Sequence, residues 1–462
     1  MCTFAGQTWR VQDRSDHPRS CFDATYTLMQ FINIKDPEQR VSFQQAVELG
    51  IGRNQGLFMP ESLGRLDDIP TLLQMGFVER SALILGHFIG GDLDQQQIDS
   101  IVSQAFNFDL PLTRVSSNCY ALELFHGTSL AFKDFGARFM AHCLAAFRAQ
   151  ENTDKPVTIL TATSGDTGAA VAQAFYGQAG IDVVVLYPKG RITRLQEKLF
   201  CTLGGNIRTF AVECNFDACQ AMVKQSFTDP ELVRALGLNS ANSINIARLL
   251  AQVCYYFEAV AALPEGTKPV FSVPSGNFGN VTACLIACAI GLPVERVIAA
   301  TNANDTVPRY FQSGQWKPEH TITTITNAMD VSQPNNFQRV LALGDNNGVD
   351  LGQLLVSESL SDPETREAIV SLHAQGFLAD PHTALGWRVL QNHLKKDEFG
   401  EHETGVFLCT AHPAKFREEI ENVLKIKLDL PAELQAVADK EILSETIPAD
   451  FNILRQKLLT KA

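Results

Sequence analysis

The 462-residue sequence has no apolar run long enough to cross a bilayer. Its longest uncharged stretch, around 274 to 294, contains Pro274, Gly276, Asn277, Gly279 and Asn280, so it reads as a turn followed by a helix. The first 28 residues have no apolar core, which excludes a secretory signal. Positive charge is in deficit, with 38 Lys and Arg against 51 Asp and Glu and a net charge of −13. That balance argues against nucleic acid or an anionic membrane as the main partner. An anionic ligand would need local donors working against the global field. The eleven cysteines form no CxxC pair and the ten histidines no HExxH pair. Neither a disulfide framework nor a metal site is supported, and the cysteines read as small reduced core residues of a cytoplasmic protein. There is no internal repeat and no low-complexity tract.

What is present is an ordinary globular composition, 45% hydrophobic and 19% charged. The length predicts two or three domains. Residues 1–28 lack periodicity and are expected to be a disordered, dispensable extension, with Met29 a possible start. Residues 29–120 read as mostly helical. From Ala121 onward, apolar runs such as "VTILTAT", "IDVVVLYP", "PVFSVPS" and "TGVFLCT" alternate with helical segments. That pattern predicts α/β architecture, with open parallel sheets covered on both faces. We expect one α/β domain over 121–230 and a second over 231–462, with a cleft between them.

A lysine in an apolar run raises the first functional question. In "HGTSLAFKDFGARF", Lys133 follows Leu130, Ala131 and Phe132. The bland reading has its stem packed on phenylalanines and its ammonium on water or Asp134. The sharper reading is a desolvated lysine that forms a Schiff base.

Ligands bind past the carboxyl ends of strands in open α/β sheets, and several such ends here carry suitable chemistry. "TATSGDTGAAVA" opens a helix with Ser164, Gly165, Asp166, Thr167 and Gly168, suited to a carboxylate or phosphate. An ordinary N-cap by Ser164 or Asp166 is the alternative there. "VPSGNFGNVTA" offers a glycine-bounded nest, with Gly276 and Gly279, for a compact phosphate; it matches neither GxGxxG nor a Walker loop. "FLCTAHPAKF" ends a strand at Thr410, a neutral hydroxyl, before Pro413. A local backbone hydrogen bond is the commoner fate of such a threonine. Pyridoxal phosphate would use the whole set. Its aldehyde needs a lysine amine, its phosphate a nest of amides, and its ring nitrogen a partner. The second anion loop would hold an amino-acid carboxylate.

The motifs "LELFHGTSLAFKDFGARFMA", "ILTATSGDTGAAVA", "EKLFCTLGGNI", "LNSANSINIARLLAQ", "SVPSGNFGN", "AMDVSQPNNF" and "TAHPAKF" occur in this order. Together they resemble the bacterial threonine synthases of the longer form, from about Met29 to the C-terminus. The resemblance implies the fold-type II pyridoxal 5'-phosphate architecture of the tryptophan synthase β type. It also implies conversion of O-phospho-L-homoserine and water to L-threonine and phosphate. By the same carry-over Lys133 is the Schiff-base lysine. Gly276, Asn277, Phe278 and Asn280 match the cofactor-phosphate loop, and Thr410 the hydroxyl that meets the pyridine nitrogen. Ser164 and Thr167 match the substrate-carboxylate loop. Asn242, Ser243 and Arg248 match the substrate-phosphate donors, although an arginine at that spacing also reads as a surface helix charge.

Two departures stand out. Thr128 and Ser129 follow His-Gly where the family has proline, and Asp166 stands where many relatives of this fold carry an asparagine against the cofactor's ring oxygen. Rival readings are a serine/threonine dehydratase or β-replacing synthase of the same fold, and a non-catalytic ligand-binding relative. Oligomeric state is left open.

Overall fold

The computed structural model describes residues 29–153, 155–395 and 403–460. The expectation for residues 1–28 lies outside them. Among the described residues three sheets form.

The central sheet has six strands, in the order Leu355–Ser359, Arg296–Thr301, Val270–Pro274, Gly405–Cys409, Cys119–Glu123 and Leu112–Ser116. All neighbours are parallel except the last pair. Val270–Pro274 and Gly405–Cys409 are buried at every position, as strands covered on both faces must be. The second sheet has five parallel strands, in the order Glu445–Pro448, Ile207–Glu213, Ile181–Pro188, Val157–Ala162 and Leu238–Asn239.

The sheets interleave along the chain, so they do not follow the expected division at 121–230 and 231–462. Cys119–Glu123 pairs with Gly405–Cys409 in the central sheet. Glu445–Pro448, near the C-terminus, returns to the edge of the other sheet beside Ile207–Glu213. The alternation predicted strands and helices, but nothing in it says which sheet a strand joins.

The N-terminal region carries helices Phe77–Ile89 and Gln95–Ala105, preceded by a three-stranded antiparallel sheet of Asp36–Val41, Phe31–Asn33 and Phe58–Pro60. A mostly helical reading missed those strands. They are short, and "DPEQRV" in Asp36–Val41 is polar, so they show little apolar alternation.

Helix Lys133–Glu151 ties these parts together. Its apolar face buries Phe135, Phe139, Met140, Leu144 and Phe147. The Phe135 ring meets Phe106, Phe108 and Tyr255 at centroid distances of 5.4, 4.8 and 5.2 Å. Each such ring pair adds about 0.5–1.5 kcal/mol beyond its area burial. The start of the helix, and with it Lys133, therefore stands on a rigid aromatic base. Gly136 is needed one turn on, because a Cβ there would lie 2.7 Å from the Arg248 carbonyl oxygen. The lysine helix thus packs directly against the segment that carries Arg248.

Candidate active site

A cavity of about 630 Å³ opens at the carboxyl ends of Val157–Ala162, Val270–Pro274 and Gly405–Cys409. Lys133, Ser164, Asp166, Thr167, Asn242, Ser243, Arg248, Gly276, Asn277, Phe278, Asn280 and Thr410 all line it. Residues far apart in the chain, from Lys133 to Thr410, are thus brought to one cavity.

Lys133 begins its helix, and its Nζ lies 5.7 Å from the Phe132 ring centroid. Asp134 does not serve it as an acceptor, since its Oδ2 accepts from the Ser129 amide at 2.9 Å. Burial pushes the Lys133 amine down, Asp166 opposes that, and Arg248 and Lys415 add to it, giving about 8. The turn before the lysine is pinned without a proline. The Leu130 amide donates to the Gly127 carbonyl at 3.0 Å, and Leu130 adopts a left-handed φ of 56°. The Lys415 ammonium donates to the Ser129 carbonyl at 2.9 Å.

In the loop after Val157–Ala162, neither Ser164 nor Asp166 caps the helix. The Thr163 hydroxyl takes that role, accepting from the amides of Gly165 at 2.9 Å and Gly168 at 2.8 Å. Gly165, at φ 135°, heads helix Asp166–Phe175 with no side-chain cap of its own. Asp166 is 3% exposed and is paired to Lys415 at 2.5 Å and to the Gln196 amide nitrogen at 3.0 Å. Burial alone would raise the Asp166 carboxyl, but the ammoniums of Lys415 and Lys133 hold it below the usual carboxylate range.

The second loop starts helix Gly279–Ala289 from Phe278, at φ 59°, again with no side-chain cap. The first amides of a helix have no intrahelical partner, so this end presents donors with a favourable dipole. Gly276 has no room for a side chain, since a Cβ there would sit 2.6 Å from the Met329 Cα. The Asn277 side-chain oxygen accepts from the Asn335 amide at 2.6 Å, and its Nδ2 donates to the Ser243 hydroxyl at 2.6 Å. Asn280 is held by the Tyr255 and Tyr256 hydroxyls, both 2.5 Å from its Oδ1, and its Nδ2 has no partner.

Arg248 is no surface charge. It is 2% exposed, donates to the Ala241 carbonyl at 2.5 Å, and leaves Nε unpartnered. Burial lowers its guanidinium to about 10, which still leaves it protonated at neutral pH. A buried cation in a cavity wall is of a kind that a bound anion can compensate. Asn242 accepts from the Thr161 hydroxyl. Thr410, 6% exposed, lines the cavity at the end of its strand. Asn245, three residues before Arg248, caps helix Ile246–Leu250 and donates to the Val47 carbonyl at 3.0 Å.

Two features escaped sequence reasoning. His382 lines the cavity with its Nδ1 2.6 Å from Asp380 Oδ2, while its Nε2 accepts from the Ala328 amide at 3.3 Å, which assigns the proton to Nδ1. Lys415, fully buried, stands behind the wall. "DPHTA" and "HPAKF" hold these residues, but no spacing rule joins either to the distant segments they meet.

Comparison with known proteins agrees with this geometry. Residues 110–411 match the family model described as pyridoxal-phosphate dependent enzyme, 30–106 that of the threonine synthase N terminus, and 383–457 that of the threonine synthase C-terminal region. The chain is 58% identical to a Haemophilus influenzae threonine synthase over 433 residues, covering 93% of this chain and 100% of that one. It is 54% identical to the Escherichia coli threonine synthase, whose crystal structure superposes with a TM-score of 0.88 over 93% of this chain and 99% of that one. A PLP-bound threonine synthase from Brucella melitensis matches at 30% identity and a TM-score of 0.85, over 93% and 98% of the two chains.

Proposed function

Since this chain belongs to the threonine synthase family of pyridoxal-phosphate-dependent enzymes, we propose that its cavity residues divide that reaction among themselves. The reaction converts O-phospho-L-homoserine and water to L-threonine and phosphate, with pyridoxal 5'-phosphate as cofactor. The residues fit that cofactor. The uncapped helix start at Phe278, the side-chain-free Gly276 and the unpartnered Asn280 Nδ2 suit a phosphate, and Lys133 supplies an amine that lines the cavity. When bound, pyridoxal phosphate supplies the electron sink that acidifies the substrate carbons next to the amine.

The protein's part is attachment, orientation and proton traffic. Lys133 would hold the cofactor through its amine and would carry protons at Nζ. An amine at about 8 is neutral often enough near neutral pH to act as a base. Gly276, Asn277, Phe278 and Asn280 hold the cofactor phosphate. Thr410 would offer the cofactor's ring nitrogen a neutral hydroxyl, and Asp166 would stand toward its ring oxygen. Ser164 and Thr167 orient the substrate carboxylate. Asn242, Ser243 and Arg248 take the substrate phosphate. The cytoplasm is the compartment we assign, supported by described cysteines that are all free and mostly buried.

The observation that carries this reading is the buried Arg248, with an unpartnered Nε, lining the same cavity as the Lys133 amine. A dehydratase or β-replacing enzyme, whose substrates bear no γ-phosphate, has no use for it. The test is borohydride reduction followed by peptide mapping, together with phosphate release from O-phospho-L-homoserine. An adduct on Lys133 and stoichiometric threonine and phosphate are expected. An adduct on another lysine would overturn the assignment.

A further inference from the structure

Lys415, fully buried, is left unused by the division of labour above. It sits in the short turn Pro413–Phe416, directly after the segment that carries Thr410. Its ammonium meets Asp166 Oδ1 at 2.5 Å and the Ser129 carbonyl at 2.9 Å. Its own carbonyl accepts from the Thr193 hydroxyl at 3.2 Å. Thr193 in turn caps the helix of Gln196, accepting its amide at 3.2 Å, and the Gln196 side chain returns to Asp166 at 3.0 Å. The path closes into a ring of hydrogen bonds that joins the Asp166 loop, helix Arg194–Cys201 and the Pro413–Phe416 turn, and the Lys415 ammonium ties that ring to the turn before Lys133.

We infer that Lys415 is a positioning residue of this site, one that engages the charge of Asp166 so that Asp166 does not ion-pair with Lys133. This rests on reading Lys133 as the cofactor lysine. A buried charge persists only when it is paired and hydrogen-bonded. Asp166 stands in the cavity wall beside Lys133, and an unpaired carboxylate there would take the Lys133 ammonium as its partner. Opposite charge favours the charged form, so Lys133 would stay protonated and lose its use as nucleophile and base. With Lys415 in place, Asp166 is satisfied from behind the wall, and the Lys133 side remains open to ligand. The same ammonium fixes the Ser129 carbonyl, four residues before Lys133, where the family's proline is absent. Lys415 thereby answers both departures found in the sequence. The charged groups facing Lys133 are Asp166, Arg248 and Lys415; His382 also faces Asp166, and Asp134 and His412 face Lys415.

The test reads the titration of Lys133 itself. Full-length protein stripped of cofactor is acetylated over a pH series, and Lys133 modification is quantified by peptide mapping. The unaltered protein should show a midpoint near 8. Lys415→Met should raise it by about one unit or more, because Asp166 turns to Lys133. Asp166→Asn should lower it, because Lys415 then acts on Lys133 unopposed. The double variant should lie between the two single variants. Should Lys415→Met fail to fold, Lys415→Gln replaces it, since a neutral amide equally frees the Asp166 charge; in the Asp166→Asn background the rise on removing Lys415 should be smaller, because its route through Asp166 is gone. Midpoints that stay put, or that move the same way in both single variants, would overturn the inference. Borohydride reduction of the cofactor-loaded protein separates the two claims. Label on Lys133 with unmoved midpoints sinks only the role of Lys415, whereas label on Lys415 sinks the Lys133 assignment as well.

Discussion

The loop after Val157–Ala162 and the loop after Val270–Pro274 begin alike and end differently. Each runs from a buried parallel strand into a helix whose N-cap residue has positive φ and no capping side chain of its own, Gly165 at 135° and Phe278 at 59°. Each therefore offers the cavity helix-start amides with the dipole behind them, though in the first loop the Thr163 hydroxyl takes those of Gly165 and Gly168. Beyond that they part. The Phe278 loop adds only neutral groups, Asn277 and Asn280, so it can receive a doubly charged phosphate with no carboxylate to repel it. The Asp166 loop carries a buried carboxylate and needs a buried ammonium, Lys415, to keep it there. One loop is built from dipoles alone, the other from dipoles and an ion pair. Dipoles suit a phosphate that stays bound through the reaction. An ion pair suits a place where proton positions must be controlled beside a titrating amine.

The most damaging change is Lys133→Ala, which removes the group that both loops serve. Threonine formation and the borohydride-trapped adduct should both vanish, while phosphate binding at the Phe278 loop persists. Cofactor retained non-covalently, measured by absorbance after gel filtration, checks the second half. Total loss of cofactor affinity would mean that the neutral loop does not hold the phosphate by itself.

Arg248→Ala tests a third, fully charged way of holding an anion. Loss of a desolvated charge-assisted contact costs roughly 2–5 kcal/mol. The fall should appear in kcat/KM for O-phospho-L-homoserine, with cofactor content unchanged. A fall of less than about tenfold, worth ~1.4 kcal/mol, would remove Arg248 from the substrate-phosphate role. Gly276→Ala attacks the dipole loop directly, since the new Cβ would lie 2.6 Å from a backbone atom, the Met329 Cα. Overpacking of that kind costs about 1–3 kcal/mol. It should appear as about ten- to hundredfold weaker cofactor binding, with the Asp166 loop undisturbed.

Thr410→Asp sharpens the comparison from the other side, by placing a second carboxylate near the Asp166–Lys415 pair. An aspartate would favour a protonated ring nitrogen where a hydroxyl does not. The ratio of threonine to 2-oxobutanoate should fall more than cofactor content does. An unchanged ratio and spectrum would mean that residue 410 does not touch the ring.

The two loops were also unequally legible. The Phe278 loop could be read almost whole, because its chemistry is local: glycines, a strand end and a helix start lie within a few residues. The Asp166 loop could be read only in part. Its cap is Thr163 and not Ser164 or Asp166, and its counter-ion lies 249 positions away at Lys415 (415 − 166). A lysine in "HPAKF" at the start of a helix ordinarily reads as solvent-facing, and only the return of the strand Gly405–Cys409 to the central sheet buries it. Arg248 was ambiguous for the same reason. Periodicity marks helix faces, but whether a face meets solvent or the Gly136 groove of another helix is decided by tertiary packing. The N-terminal strands failed differently, being too short and polar to show a period.

The smallest predicted effect concerns the turn that Lys415 and Asp134 share. Gly127 to Leu130 form a tight turn closed by the Leu130 amide on the Gly127 carbonyl, which puts Thr128 at the second position. Proline is favoured there because its ring presets φ near −65°. Thr128 is exposed, so its side chain gives up no buried contact when replaced. The turn is already fixed through Ser129, whose amide is held by Asp134 and whose carbonyl is held by Lys415. Thr128→Pro should therefore act on the unfolded chain alone, stabilising by about 0.4–1 kcal/mol. In a chain of this size that is a rise of roughly 1–2 °C in Tm, with kcat/KM unchanged. The same substitution in the Lys415→Met background should help more, because the turn has then lost one of its two ties. An equal gain in both backgrounds would mean that the Lys415 contact to Ser129 adds no order to the turn, and that Lys415 acts on Lys133 through charge alone.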